Sequence, residues 1–136
     1  MENVANAHLF VYGTLRKRFR SHELLRRLRA QFLAKGHVRG RLYDLGDYPG
    51  AVESASDADC VHGEVYHLPN PAQAFKILDR FEGFDPAKPA FNLFERKETT
   101  VALDGNGEMQ AWIYWLGSRH GSRRRLPSRD YAMCRG

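Results

Sequence analysis

The chain has 136 residues, with 21 Lys+Arg against 16 Asp+Glu and a formal net charge of +5. That length fits a single domain over residues 1–136, whose core can hold it without metals or disulfides. A 43% hydrophobic and 27% charged composition excludes a disordered chain, and no apolar run approaches the ~20 residues that a membrane helix needs.

Residues 1–7 read as a loose N-terminal tail. His8 to Tyr12 is almost wholly apolar and predicts a buried strand, ended by Gly13-Thr14. Ser21 is placed as an N-cap with Glu23 in the first turn of a helix. Leu24, Leu25 and Leu28 form its apolar stripe, and Gly36 falls past its end. From His37 the period changes to two: Val38, Gly40 and Leu42 alternate with Arg39, Arg41 and Tyr43, which predicts a strand with one buried face. Gly46-Asp47-Tyr48-Pro49-Gly50 is dense turn chemistry.

Val61 to Leu68 predicts another strand, with Gly63 as a bulge or close-approach point. Asn70-Pro71 opens a second helix as N-cap and first helical residue. Phe75, Leu78 and Phe81 give that helix its core stripe, and Gly83 followed by Pro86 ends it. Phe94 to Leu103 and Met109 to Leu116 read as two strands joined by the hairpin signal Asp104-Gly105-Asn106-Gly107. Residues 117–136 form an Arg-rich C-terminal segment without periodicity. The order β, α, β, β, α, β, β lacks the strict alternation of a doubly wound sheet, so the expected fold class is α+β, a largely antiparallel or mixed β-barrel.

Charge is unevenly placed. Residues 16–41 hold ten Lys/Arg and one acid, Glu23, while residues 42–118 hold five Lys/Arg and 13 acids. Residues 119–136 hold six Arg and one acid, Asp130. Such clusters suit either solvated faces or a nucleic-acid footprint; no aromatic is regularly interleaved with them as a stacking platform requires, so nucleic acid is not the expected partner. Cys60 and Cys134 share no metal-type spacing, so neither a disulfide framework nor a metal is expected, and a cytoplasmic location is the default.

Two places break local rules. A strand that ends in a tight turn at Gly13 either has an ordinary terminal glycine or presents consecutive N–H groups as a nest for a carboxylate or oxyanion. Glu82 sits in the last turn of the second helix, at the negative end of its dipole, where Lys or Arg is the usual choice. Phe81 and Phe84 flank it, and both influences raise a carboxyl pKa as a base working near neutrality requires. The other reading of Glu82 is a frayed surface side chain. His62 and His67, five apart on one strand, face opposite ways and cannot chelate together. Nucleophile-elbow and dinucleotide fingerprints are both missing from the chain.

These oddities fall within a set of ordered motifs. Phe10-Val11-Tyr12-Gly13-Thr14-Leu15-Arg16 resembles the opening motif of the gamma-glutamylcyclotransferase-like family. The resemblance continues through Gly40-Arg41-Leu42-Tyr43-Asp44-Leu45-Gly46, Tyr48-Pro49-Gly50 and Val61-His62-Gly63-Glu64-Val65-Tyr66. It resumes at Leu78-Asp79-Arg80-Phe81-Glu82-Gly83-Phe84 and ends with Trp112-Ile113-Tyr114.

The resemblance implies a barrel flanked by helices, with one pocket beside the strand end. It assigns substrate binding to Tyr12, Gly13, Thr14 and Leu15, the acid/base role to Glu82, and support to Arg96 and Tyr48. It further implies a gamma-glutamyl small-molecule substrate of the gamma-glutamylamine type, 5-oxoproline as product, and no metal or organic cofactor. Downstream the chain departs from the pattern: many relatives have Tyr-x-Arg where Phe94-Glu95-Arg96 stands here. Substrate choice is therefore left open by the resemblance, as is a non-catalytic metabolite- or peptide-binding module on the same fold.

Overall fold

A computed structural model of the protein describes residues 6–12, 22–44, 49–117 and 124–125. Its elements are β1 (His8–Val11), α1 (His22–Arg27), β2 (Gln31–Asp44), β3 (Pro49–Glu53), β4 (Cys60–His67), α2 (Pro71–Phe81), β5 (Phe94–Leu103), β6 (Glu108–Leu116) and β7 (Arg124–Arg125). The strands lie in the order β3-β2-β4-β1-β6-β5. β5 then returns to pair with β2 through Gly36 opposite Leu103 and His37 opposite Ala102, closing a five-strand barrel. Of the barrel pairs only β1–β6 is parallel, so the barrel is mixed and largely antiparallel, as the sequence led one to expect.

Alternation along the strands sorts the core into two layers. Phe10, Val38, Val61, Val65, Val101, Ile113 and Trp115 come from all five barrel strands and fill the interior. Leu9, Val11, Leu68, Phe94 and Tyr114 point the other way and pack with Leu25 of α1 and Phe75 and Leu78 of α2. Each such fully buried Leu, Val or Phe contributes roughly 1.5–3 kcal/mol. Where strands cross closely the chain uses glycine. A Cβ on Gly63 would meet the Val11 carbonyl and the Phe10 ring, and one on Gly36 would lie 2.6 Å from the Ala102 carbonyl oxygen at the barrel closure.

Several expectations need correction. α1 ends at Arg27, well before Gly36, because Arg29 adopts φ 59° and the Arg29 and Ala30 N–H groups bond back to the Arg26 and Leu25 carbonyls. That is a Schellman stop made without glycine. Residues 31–36 then join β2, and β3 and β7 extend the sheet from β2, Tyr43 lying opposite Arg125. Both extra strands were unread in the sequence, β3 because Pro49 and Gly50 look like turn residues. Asn70 is the N-cap of α2 but makes no side-chain cap bond. Phe81 is half exposed instead of completing the core stripe, which α2 forms from Ala74, Phe75 and Leu78.

Cys60 is disulfide-bonded, against the expectation of no disulfide. Separation along the chain says nothing about approach in space, and its partner lies outside the described residues. No helix among the described residues is long and apolar enough to cross a membrane.

Candidate active site

Glu82 is the C-cap of α2, and backbone geometry on both sides fixes where it points. Its N–H bonds the Leu78 carbonyl at 2.8 Å. Gly83 follows at φ 68°; its N–H bonds the Arg80 carbonyl at 3.2 Å and the Phe84 N–H bonds the Asp79 carbonyl at 2.8 Å. Glycine is required at this Schellman position twice over, by the positive φ and because a Cβ would lie 2.8 Å from Leu93 Cδ1. The Gly83 carbonyl in turn accepts from the Leu93 N–H at 3.0 Å, which ties the helix end to the segment leading into β5.

One turn earlier on α2, Asp79 reaches the barrel wall. Its Oδ1 accepts hydrogen bonds from the Tyr114 hydroxyl at 2.6 Å and from Arg96 Nε at 2.8 Å, and its Oδ2 accepts from Arg96 Nη2 at 3.1 Å. Arg96 and Tyr114 are direct partners across the β5–β6 hairpin. The guanidinium lies against three rings, 4.5 Å from the Phe75 centroid, 4.6 Å from that of Trp112 and 5.9 Å from that of Phe84. A planar, always-charged donor suits both the bidentate carboxylate and the stacking. Arg96 therefore serves Asp79 in this structure, with a side chain only 13% exposed.

This setting determines the ionisation of Glu82. Burial, reinforced by the negative charge of Asp79, pushes its carboxyl up to about 8. The upward direction matches the sequence expectation, but Asp79 as a contributor was missed, although its spacing of three from Glu82 on one helix was a readable signal. Burial also raises the Tyr114 phenol, followed by its bond to Asp79, with the Glu82 charge adding a smaller push.

Tyr12 lies at the end of β1 and is buried. Its hydroxyl donates to the Tyr114 carbonyl at 2.6 Å and accepts from the Ala51 N–H at 3.0 Å. One phenol thus pins β1 to β6 and β3. Burial is the main reason its pKa is raised, and the charge of Glu82 also contributes. Glu82 is thus within electrostatic reach of the residue from which the predicted binding turn departs. Gly13, Thr14, Leu15 and Tyr48 lie outside the described residues.

Trp112 and Tyr114 belong to the last motif of the resemblance but carry no assigned role there; their places at Arg96 and Asp79 follow from the hairpin register and the docking of α2. The residue types suited to a metal gather elsewhere: His37, Cys60 and His62 on β2 and β4 have their ligand atoms all within 4.8 Å of one another. Ligand spacings counted along one segment could not reveal a cluster drawn from two strands.

A carboxyl raised to about 8 beside a buried strand end can take up and give back a proton near neutral pH. Residues 9–133 match the model of the family described as gamma-glutamyl cyclotransferase, AIG2-like. The chain belongs to this family. It is 30% identical over 131 residues, covering 95% of this chain and 98% of the relative, to a Methanocaldococcus jannaschii protein whose name gives gamma-glutamylcyclotransferase as an unproven assignment. It is 33% identical over 109 residues to the gamma-L-glutamyl-butirosin B gamma-glutamyl cyclotransferase of Niallia circulans, covering 79% of this chain and 65% of that one. Among solved structures, it is similar to a mouse AIG2-like protein with a TM-score of 0.67 and 25% identity, over 84% of this chain and 79% of that one. A Bacillus subtilis protein gives a TM-score of 0.65 at 26% identity, over 89% of this chain and 38% of that one. The two solved structures share the fold of this chain, and family membership supports gamma-glutamylcyclotransferase-type chemistry in general.

Proposed function

We propose that the protein is a cyclotransferase acting on gamma-glutamyl amides or peptides, with gamma-glutamyl amines as the substrate class and Glu82 as its acid/base. The observation that carries this reading is the Glu82 carboxyl raised to about 8 at a helix end anchored by the Gly83 turn. A group titrating there is balanced between accepting and returning a proton near neutral pH.

The chemistry asks little else of the protein. The substrate carries its own nucleophile: the alpha-amine closes on the gamma-carbonyl carbon to form a five-membered lactam. Glu82 as carboxylate takes a proton from the alpha-ammonium, and the freed amine attacks. A tetrahedral oxyanion forms, and the ring nitrogen still carries two hydrogens. Glu82 gives its proton to the leaving nitrogen, and the bond to that nitrogen breaks. The ring nitrogen's surplus proton passes through the re-ionised Glu82 to the departing amine, which leaves as its ammonium. The products are 5-oxoproline and a free amine, and every atom is accounted for without an added cofactor. Effective molarities of order 10⁵ M or more are available to a held intramolecular reaction, and the positioned acid/base adds about 10²–10⁴-fold.

Tyr12, Gly13, Thr14 and Leu15 are assigned to substrate binding, with backbone N–H groups of the turn as the donors for a carboxylate or oxyanion. Tyr12 acts through the backbone, since its hydroxyl is engaged with Tyr114 and Ala51. Arg96 is a positioning residue that works through Asp79, and Tyr48 supports the pocket. A cytoplasmic setting is proposed, in which the disulfide at Cys60 is subject to reduction. The test is a panel of gamma-glutamyl amines and peptides assayed for 5-oxoproline release by wild type and Glu82→Gln. Release by wild type and its loss in the variant supports the assignment; saturable binding without any release identifies a non-catalytic binding module instead.

A further inference from the structure

We propose that His37, Cys60 and His62 form a binding site for a zinc-type transition-metal ion, closed while Cys60 is disulfide-bonded and opened when a dithiol reductant releases its thiolate. The site is independent of the reading given to Glu82.

Strand geometry brings the three together. His37 and His62 are direct partners across the antiparallel β2–β4 pair, and Cys60 lies two residues before His62, on the same face. The two imidazole rings are 5.2 Å apart between centroids and inclined by 38°. One ligand atom from each of the three residues lies within 4.8 Å of the others. A tetrahedral zinc with ordinary Zn–N and Zn–S lengths needs separations of roughly 3.3–3.6 Å, so rotamer adjustments of about an ångström complete the set.

Two further observations favour an ion over simple ring packing. His37 Nδ1 is buried with no hydrogen-bond partner among the described residues, a condition that buried polar atoms rarely tolerate and that a metal bond relieves. The scaffold is also rigid. Asp59, immediately before Cys60, accepts hydrogen bonds from Arg41 Nε and Ser54 Oγ, both at 2.7 Å, and its carbonyl accepts from the Gly40 N–H at 3.2 Å. Access exists as well, because His37 lines a cleft of about 890 Å³ together with Arg39, Glu53 and Ser54.

One thiolate and two imidazoles suit zinc, cobalt(II) or copper far better than calcium or magnesium. Three protein ligands leave a fourth position for an exchangeable ligand. Disulfide bonding of Cys60 removes the anionic ligand and leaves two neutral imidazoles. Opening takes two electrons and two protons: the protein disulfide becomes two thiols while the dithiol becomes its own disulfide. Metal binding then displaces the Cys60 thiol proton.

The experiment is a cobalt(II) titration of the full chain, reduced with a phosphine that is then removed, beside the oxidised chain. The expected result is a thiolate-to-cobalt charge-transfer band saturating at one metal per reduced chain, bleached by equimolar zinc and missing from the oxidised chain. His37→Ala and His62→Ala should each weaken the affinity at least about tenfold, and Cys60→Ser should abolish the band. Cys134→Ser, which leaves Cys60 as the single cysteine, should bind cobalt without prior reduction. If Cys60→Ser does not fold, thiol alkylation of the reduced wild type, blocked by bound metal, reads the same ligand. No band in the reduced wild type, a band indifferent to both histidine substitutions, or a band lost in folded Cys134→Ser overturns the proposal.

Discussion

Asp79 and Glu82 stand one turn apart at the end of the same helix, and the fold gives them opposite surroundings. Asp79 is clasped by the Arg96 guanidinium and the Tyr114 hydroxyl. Glu82 receives burial and the negative charge of Asp79, and its carboxyl moves up to about 8. Two carboxylates of nearly the same chemistry are thereby divided into a structural anchor and the group proposed to carry the substrate's proton.

Replacing Glu82 with Gln removes the proton carrier while keeping its size. The expected outcome is a fall in kcat/KM for 5-oxoproline release of about 10²–10⁴-fold, with an unchanged circular dichroism spectrum. Turnover at the wild-type rate would sink the acid/base assignment.

The raised pKa also sets how rate depends on pH. The carboxylate form accepts the substrate proton, so kcat/KM should climb with pH and level off above about 8, and that limb should vanish in Glu82→Gln. A pH–rate profile on one gamma-glutamyl amine checks it.

Stability should run the other way. Glu82 has a reference value of 4.5 and a folded value of about 8. Between them the folded chain keeps a proton that the unfolded chain has lost, so this group's contribution to stability falls as pH rises through that window. Glu82→Gln should therefore match wild type at acidic pH and exceed it by about 1 kcal/mol or more above pH 8. Urea unfolding at several pH values measures the difference; a gap independent of pH would contradict it.

Asp79→Asn should separate anchoring from charge. Arg96 loses its bidentate carboxylate in a partly buried site, at a cost of about 2–4 kcal/mol. Removing the negative neighbour, with Arg96 still cationic, should move the Glu82 limb to lower pH. Burial is the larger cause of the shift, so the limb should stay above that of an exposed glutamate.

Tyr12→Phe leaves the Tyr114 carbonyl and the Ala51 N–H without the bonds that now join three strands. A loss of about 2–4 kcal/mol is expected from two such groups, seen as a lower urea midpoint with an unchanged slope. Activity should fall with the Glu82 pH limb still present, which marks Tyr12 as a residue that positions the turn.

How much of this was readable beforehand varies by element. The hairpin from Phe94 to Leu116 was legible because its loop residues announce the turn, and the turn sets register. The turn signal did not say which residues face one another: Arg96 stands opposite Tyr114 because the closed loop holds three residues between Leu103 and Gly107. Gly83 and Glu82 were legible because helix stops have local chemistry. The end of α1 was misread because a non-glycine residue, Arg29, took the left-handed position, which local preference does not favour. β3 was missed because its pairing with β2 outweighs the turn character of Pro49 and Gly50.

The amino-acid sequence alone determined the barrel class, the ordered motifs, and an acid placed against a helix dipole, since these depend on periodicity and on neighbours within one turn. It marked Gly63 as a bulge or a close-approach point, and the fold makes it the latter, where no side chain fits. Only the tertiary structure decided that Asp79 is paired, that it presses on Glu82, and that His37 stands beside Cys60 and His62. Those relationships arise where α2 docks on the barrel and where β2 pairs with β4. Contacts between segments far apart in the chain leave no mark on local spacing, so burial and charge at such points exist only once the fold has closed.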